Sequence, residues 1–317
     1  MAVIFSNSSH LFPHTFFLVG ITGLTAAHIW ISLPFCFMFL LALTGNGILL
    51  FLIYTEHSLH QPMFFFLAML SFVDLVLSLS TLPKMLAIFW FGATAISFYS
   101  CLSQMFVIHA FSTMESGVLV AMALDHFMAI CNPLHYANIL TPVVVTKIGG
   151  LLRGVVLTIF FPSLACRLPY CGSHTIAYTY CEHMALVKLA CGATTVDNLY
   201  AFTVAVFLGV GDMAFIAYSY GQSVRTVMRI PSPEARAKAG STCTAHVCVI
   251  FFFYGPGFLS VVMQCFGPPT ASATKVILAN LYLLFPPALD PVVYGVKTKQ
   301  IRGRLFTILS PKQIDLI

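Results

Sequence analysis

Three carboxylates occur inside long apolar stretches of the sequence. Asp74, Glu115 and Asp290 stand among hydrophobic residues, and Asn46 is a polar companion in a fourth stretch. An ionisable side chain within a membrane is costly and usually faces the protein interior. Three carboxylates that meet in a medium of low dielectric constant cannot all ionise without a cation or shared protons. We therefore predict a polar core at mid-membrane and hypothesise a structural sodium ion there; a simple hydrogen bond between helices is the alternative for each residue.

Helix-breaking residues occupy the same depth of the last two apolar stretches. Tyr254 precedes Gly255-Pro256-Gly257, and Pro286-Pro287 is followed by Pro291 and Tyr294. Proline removes a backbone hydrogen bond and kinks a helix. Kinks in adjacent helices suit a switch between two packings, so Tyr254, Pro291 and Tyr294 are predicted switch residues. A static bend is the alternative.

Catalytic and metal-binding patterns are lacking. The sequence has no HExxH, no GxSxG, no P-loop and no paired His/Cys nucleophile set, so we predict no enzyme. Arg153 and Asp212 also lie in apolar stretches, where an interhelical hydrogen bond explains each. His174, Cys181 and His183 match no standard zinc spacing. Nucleic acid is not an expected partner, because no basic patch alternates with exposed aromatic residues.

The composition places all of these residues in a lipid bilayer. Hydrophobic residues make up 59% of the chain and charged residues 8%, whereas a soluble domain has about 25% charged residues. A backbone in lipid requires helices or a closed barrel, and the apolar runs here have the helical length of about twenty residues. The sequence predicts an all-α membrane protein, a bundle of seven transmembrane helices. The predicted spans are Ile29–Ile53, Met63–Phe89, Phe98–Ala123, Val143–Cys166, Leu199–Tyr220, Cys243–Met263 and Val276–Val296.

The distribution of charge predicts the orientation. The bundle is assigned to residues 28–296, with a tail at 1–27, a long loop at 167–196, and a short amphipathic eighth helix and tail at 297–317. Positive residues favour the cytoplasm, so we expect the N-terminus outside a plasma membrane and the C-terminus inside. Asn7-Ser8-Ser9, a glycosylation acceptor, agrees with this. The inner side collects Lys147, Arg225, Arg229, Arg236, Lys238, Lys297, Lys299, Arg302, Arg304 and Lys312, and the outer side holds Arg167, Lys188 and Lys275.

Four cysteines lie on the predicted outer side. Cys171, Cys181 and Cys191 stand in the long loop, and Cys101 begins the third span. In an oxidising compartment four cysteines form two disulfides in any of three ways. The residues alone leave the pairing open, and free thiols are the alternative.

Six motifs, in order at the ends of the predicted spans, match one known family over nearly the whole chain. The chain resembles the olfactory receptors, a branch of the rhodopsin-like G-protein-coupled receptors. The loop stretches Cys181-Glu182-His183-Met184 and Lys188-Leu189-Ala190-Cys191 resemble the class I branch. The six motifs are Gly45-Asn46, residues 59–67 (LHQPMFFFL), residues 70–75 (LSFVDL), residues 122–131 (MALDHFMAIC), residues 238–246 (KAGSTCTAH) and residues 290–295 (DPVVYG) followed by 297–302 (KTKQIR).

The resemblance implies an odorant receptor that activates a stimulatory, olfactory-type G protein. It also implies a disulfide from Cys101 to the loop. Receptor geometry in this superfamily favours Cys181 as the partner and a second bridge between Cys171 and Cys191. A bond between Cys101 and Cys191 is the alternative.

Two departures from the family pattern bear on coupling. The family has Asp-Arg-Tyr where this chain has Asp125-His126-Phe127. Imidazole is mostly uncharged at pH 7 and lacks the fork of donors that arginine presents. The sequence therefore leaves open a receptor with impaired coupling, or one that relies on Arg225, Arg229 and the short basic eighth helix; Lys238 is a further candidate coupling residue. The second departure is Asp290, where most of the superfamily has asparagine.

The resemblance places the ligand among the third, fifth, sixth and seventh spans, beneath the long loop. We expect a volatile or fatty ligand of medium size. Carboxylic acids stay among the candidate ligands but are not favoured, because Gln264 stands where acid-binding class I receptors tend to have arginine; His109 or Lys275 could replace that charge. A small transporter or channel is the rival function. The candidate ligand residues are Gln104, Met105, Ile108, His109, Ser112, Phe202, Val206, Tyr254, Phe258, Leu259, Ser260 and Gln264.

Overall fold

The structure, a computed structural model, describes residues 13–21, 27–131, 152–229, 231–266 and 273–309. Within these ranges the chain is mainly helical. The helices are α1 (His28–Thr55), α2 (Pro62–Phe91), α3 (Phe98–Cys131), α4 (Leu152–Thr158), α5 (Phe160–Ala165), α6 (His183–Val187), α7 (Thr195–Val206), α8 (Asp212–Met228), α9 (Pro233–Phe266), α10 (Ala273–Lys297) and α11 (Lys299–Leu309), with a 3₁₀ turn at His57–Leu59 and a π-helical segment at Phe207–Gly211.

Six helices in the described ranges are long and apolar enough to cross a membrane. They are α1, α2, α3, the continuous run Thr195–Met228, the apolar part of α9, and α10. The fourth predicted span is represented by α4 and α5, and its first residues lie outside the described ranges. The eighth helix of the sequence prediction is α11. These elements match the predicted order of spans.

A three-stranded sheet, which the sequence analysis did not predict, lies at one end of the bundle. Strand β1 (Thr15–Leu18) is central; it pairs antiparallel with β2 (Ala95–Ser97) and parallel with β3 (Thr175–Ile176). Phe16 and Leu18 of β1 are fully buried among core residues of this end. We call this end, which also contains the Cys101–Cys181 bond, the disulfide-bonded end, and the other the opposite end.

Proline explains how the first and seventh spans are joined. Pro291 lacks an N–H, so the carbonyl one turn earlier, at Pro287, loses its helical donor. The Asn46 side chain of α1 donates to that carbonyl at 2.8 Å. Gly45 brings α1 close enough, since a Cβ built at Gly45 would lie 2.7 Å from Pro291. The two residues of the Gly45-Asn46 motif therefore act together at Pro291: Gly45 allows the close approach, and Asn46 supplies the donor that the proline removes.

We expect Gly45→Ala to destabilise the bundle by roughly 1–3 kcal/mol, because the new methyl group overpacks the contact with Pro291. Thermal unfolding of the purified protein in detergent measures this. Gly47→Ala is the matched control, since a Cβ at Gly47 meets nothing within 4 Å. Equal melting temperatures for the two variants would contradict the close-approach role of Gly45.

Candidate functional site

The long loop is fixed over the third span by a disulfide and a side-chain amide. Cys101 bonds to Cys181, and Cys171 bonds to Cys191; these are the two pairs that the resemblance favoured. The backbone N–H of Cys181 donates to Gln104 Oε1 at 3.0 Å, and Gln104 Nε2 donates to the carbonyl of residue 80 at 2.8 Å. Both ends of the Gln104 amide thus hold the loop and α2, which makes it a positioning residue rather than a free ligand anchor.

Beneath this loop, three rings from different elements meet. His109 of α3 stacks on Phe161 of α5 with ring centroids 4.3 Å apart, and the ring of His183 from α6 lies 4.8 Å from that of Phe161. Burial lowers the pKa of His183 to about 4, so its ring is neutral at pH 7. Both of its ring nitrogens lack a hydrogen-bond partner within the described residues. A polar ligand group at this point would find unused donor and acceptor capacity.

The zinc set that the sequence analysis weighed does not form. Cys181 is bonded to Cys101, so its sulfur is unavailable to a metal together with His174 and His183. A thiolate ligand must carry a free sulfur.

The third-span candidates lie on one face around His109. Met105 and Ile108 are buried in the apolar core of the disulfide-bonded end. Ser112 lies one turn further along α3, near Tyr282 of α10. Phe161, His183 and Tyr282 complete this group and were missed by the sequence analysis. His183 lies in the Cys181-Glu182-His183-Met184 stretch of the long loop, which was the available signal for it, whereas Phe161 and Tyr282 belong to none of the motifs.

Four predicted ligand residues are exposed, unlike the buried candidates of the third span. The exposed fractions are 66% for Phe202, 42% for Val206, 72% for Phe258 and 46% for Leu259. On the fifth span Val204 is buried instead. On α9 the buried positions include Val249, Ile250 and Phe253, and Ser260 lies at helical spacing from Phe253. Phe258 and Leu259 precede Ser260 and are both exposed. The Gln264 side chain lies outside the described residues.

The predicted polar core forms. Carboxylate oxygens of Asp74, Glu115 and Asp290 lie within 4.8 Å of one another, and all three residues are buried. Both oxygens of Asp74 and of Asp290, and one of Glu115, have no hydrogen-bond partner in the described part of the chain. The Asn46 amide oxygen is likewise unpaired there. Coulomb repulsion at this spacing disfavours full ionisation, so the donor set suits a hard cation or shared protons.

A second polar network joins four spans. Arg153 Nη2 of α4 lies 2.5 Å from Asp212 Oδ2, at the start of α8. Ser116 of α3 donates to the same oxygen, and its hydroxyl lies 2.8 Å from that of Tyr254 in α9. The Arg153 guanidinium also lies over the ring of Phe207, 5.6 Å from its centroid. Arg153 and Asp212 are therefore one ion pair rather than two separate polar residues, and the pair links to a predicted switch residue.

At the opposite end, His126 lies in a group of aromatic side chains. Its Nδ1 donates to the Met122 carbonyl at 2.8 Å, and its ring centroid is 5.3 Å from that of His246. The Tyr220 hydroxyl hydrogen bonds to His246 Nδ1. The hydroxyl of Tyr294, a predicted switch residue, reaches the Met122 sulfur at 3.9 Å. The third, fifth, sixth and seventh spans thus meet around the site where the family has arginine.

The remaining predicted site residues differ in their exposure and in whether the structure describes them. Asp125 is buried and Phe127 is half-buried, whereas Arg225 and Arg229 are exposed on α8. The side chain of Lys238 and the glycosylation acceptor Asn7 lie outside the described residues.

Comparison with known proteins decides the family. The family model described as olfactory receptor matches residues 35–312. The chain belongs to the olfactory receptor family. It is 49% identical over 311 residues to human olfactory receptor 52K1, covering 98% of this chain and 99% of that protein. It is also 49% identical over 310 residues to human olfactory receptor 52N4, with 96% of each covered.

A solved structure supports the fold. The crystal structure of squid rhodopsin matches with a TM-score of 0.66 at 16% identity, over 90% of this chain and 86% of that chain. The prediction of an all-α bundle of seven membrane helices is confirmed, and the relatives are consistent with the class I branch. This olfactory receptor is a multi-span receptor for odorants that couples to G proteins, and not an enzyme. Because the chain belongs to a receptor family, the rival interpretation as a transporter or channel is not favoured.

We expect His109→Ala to weaken responses to polar odorants about threefold to tenfold, the effect of one lost hydrogen bond of ordinary strength. Responses to purely apolar odorants should change less. Half-maximal concentrations across an odorant panel measure this. His174→Ala is the control, since that histidine lies at the same end but its ring approaches Phe16, at 6.2 Å. Identical panels for His109→Ala and wild type would contradict the anchor role.

Proposed function

We propose that this receptor binds a volatile or fatty molecule of medium size beside His109 and activates a stimulatory, olfactory-type G protein. The observation that carries the proposal is the meeting of His109, Phe161 and His183 under the disulfide-bonded loop. This group offers apolar walls with a few polar atoms, which is typical of small-molecule sites. Because His183 is neutral at pH 7, it offers an acid no charge; a charge for acids would come from Lys275, which is buried in the first turn of α10.

The proposed orientation has the N-terminus outside the cell and the C-terminus in the cytoplasm. The excess of lysine and arginine on the side of α11 supports it, as do the two disulfides, which form in oxidising compartments. The disulfide-bonded end then faces the odorant and the opposite end faces the G protein.

The proposed mechanism is a population shift. A ligand beside His109 would favour the packing in which α9 moves at Tyr254 and Pro256. The Ser116–Tyr254 hydrogen bond lies between the ligand group and the His126–His246 contact, so a movement at Tyr254 reaches both.

The test is cyclic AMP in cells that express the receptor with an olfactory-type G protein, on a panel of aliphatic acids, alcohols and esters. A wild-type response supports both the ligand class and the stimulatory coupling. Silence toward the panel with confirmed surface expression, together with a response through a different G protein, would contradict the coupling proposal.

One observation favours a second candidate function, a family member with impaired coupling. His126 is buried and donates to its own helix at Met122, so it presents no cation to a G protein. A ligand that stabilises the purified receptor against heat while cyclic AMP stays flat would support this second function.

We also propose that the polar core binds a structural sodium ion. The support is the approach of three carboxylates, of whose six oxygens five have no hydrogen-bond partner in the described chain. Replacing sodium with N-methylglucamine should lower the thermal stability of wild type. Asp74→Asn and Glu115→Gln should abolish that dependence. If both variants keep the wild-type sodium dependence, the carboxylates share protons instead.

A further inference from the structure

An apolar groove runs along the outside of the bundle where α1, α10 and α11 meet. Its volume is about 110 Å³, and the part of the chain that lines it is almost wholly hydrocarbon. Gly295 leaves its floor open, because a Cβ built there would meet nothing within 4 Å. Ile48 and Val292 on its walls are exposed. In a bilayer this surface faces acyl chains. Leu49 and Leu52 of α1 and Ile301 and Leu305 of α11 also line the groove.

A polar cavity of about 360 Å³ adjoins this groove through α11. It is lined by Ser58, Lys299, Gln300, Gly303 and Arg304. Lys299 is exposed, and Arg304 is a half-exposed residue 3.3 Å from Glu56. Such an exposed ion pair is weak and leaves the guanidinium able to accept another anion.

Helix α11 orients the two surfaces relative to each other. Ile301 is buried against the bundle and Leu305 packs on the same core, whereas the basic residues of α11 face outward. A helix with one apolar face and one basic face lies at the level of the lipid headgroups. Lys297, Lys299, Arg302 and Arg304 fall within eight positions. A cluster of four basic residues directly after a membrane helix is typical of binding to anionic headgroups.

We propose that this junction binds one anionic phospholipid of the adjoining leaflet. One acyl chain lies in the apolar groove, and the phosphate contacts Lys299 and Arg304. The apolar lining alone would accept any lipid, and the basic residues alone would attract any anion. The continuity of the two surfaces is what selects a molecule with both parts. Enrichment of anionic lipids in the cytoplasmic leaflet agrees with the orientation proposed above, although the binding itself does not require it.

The expected consequence is lipid-dependent stability. A ligand that binds the folded state alone stabilises it by mass action. The lipid contacts the first span, the seventh span and α11 together, so it should hold α11 against the bundle.

The test uses the full-length receptor in phosphatidylcholine nanodiscs with increasing fractions of phosphatidylserine. Native mass spectrometry measures retained lipid, and thermal unfolding measures stability. We expect Lys299→Gln/Arg304→Gln to weaken retention of phosphatidylserine at least about tenfold, since each basic residue near a charged lipid surface contributes roughly fivefold. Arg225→Gln/Arg229→Gln removes the same charge from another face and should retain lipid like wild type. Equal losses in the two double variants would show a diffuse charge effect and overturn the site.

The groove is tested separately. Gly295→Leu should fill it and weaken retention, whereas Gly47→Leu, which places the same side chain in open space on α1, should not. A further experiment uses the wild-type protein, so its result does not depend on the folding of a variant. Glycerophosphoserine, which is the same headgroup without acyl chains, should fail to displace the bound lipid. Displacement by this soluble headgroup, or full lipid retention by a folded Gly295→Leu receptor, would overturn the acyl-chain part of the proposal.

Discussion

Asp212→Asn should lower surface expression about tenfold or more and abolish the odorant response. The substitution leaves the Arg153 guanidinium without its partner, although only 17% of that side chain is exposed. Breaking a buried pair by removing one member costs roughly 3–5 kcal/mol, because the other charge is left uncompensated. Lower stability reduces abundance in cells. Flow cytometry of the tagged receptor and a cyclic AMP assay measure the two effects.

A double variant separates stability from signalling. Arg153→Met/Asp212→Leu removes both charges and replaces them with apolar side chains of similar size, a change that is often neutral or stabilising. We expect it to restore surface expression but not the response, because Ser116 and Tyr254 then lose their link to the fifth span. Recovery of both expression and response would mean that the ion pair stabilises the packing of the helices and has no role in signalling.

Tyr254→Phe tests the same network from its other end. It removes the hydroxyl that meets Ser116 at 2.8 Å but leaves the ion pair of Arg153 and Asp212 in place. We expect normal expression with a maximal response reduced severalfold. A wild-type dose–response curve would exclude the hydroxyl from the signalling path.

The spans and the polar core could be predicted from sequence because both depend on local composition. Asp74, Glu115 and Asp290 stand out among apolar residues. The free-energy cost of exposing a carboxyl group to lipid is enough to place them inside the bundle. The pairing of Arg153 with Asp212 could not be predicted in this way. The two residues are separated by 59 positions, and a sequence shows that each is buried without showing which other helix it meets.

The sequence also could not show which face of the fifth span meets the bundle. Phe202 and Val206 are exposed, whereas Val204 between them is buried. Apolar residues occur on nearly every side of this span, so hydropathy does not distinguish its faces. The π-helical segment at Phe207–Gly211 follows these residues and has no sequence signature. The sheet of β1, β2 and β3 was missed because strands of two to four residues show no readable alternation.

His126→Arg should raise the apparent affinity for the G protein about tenfold or more. Arginine supplies a permanent charge and a fork of donors, and hydrogen bonds to a charged group contribute roughly 1.5–3 kcal/mol. In this structure the Nδ1–H of His126 donates to the Met122 carbonyl and so is not available to a G protein. The measurement is ligand-stimulated GTP exchange in membranes as G protein is titrated, with cyclic AMP as the cellular readout.

Two further variants assign the cause of any gain. His126→Lys adds charge without the fork, and His126→Gln adds neither, so the expected order is Arg above Lys, with His and Gln below both. Surface expression must be equal, because a cation beside the fully buried His246 could loosen the contact between the third and sixth spans. If Gln, His and Arg receptors couple equally, the G protein does not read this position, and the exposed Arg225 and Arg229 are then the residues to neutralise. If only the His126→Arg receptor responds, the odorant site is intact and the natural histidine limits the signal. The conformational change that passes through Tyr254 would then end at a side chain without charge.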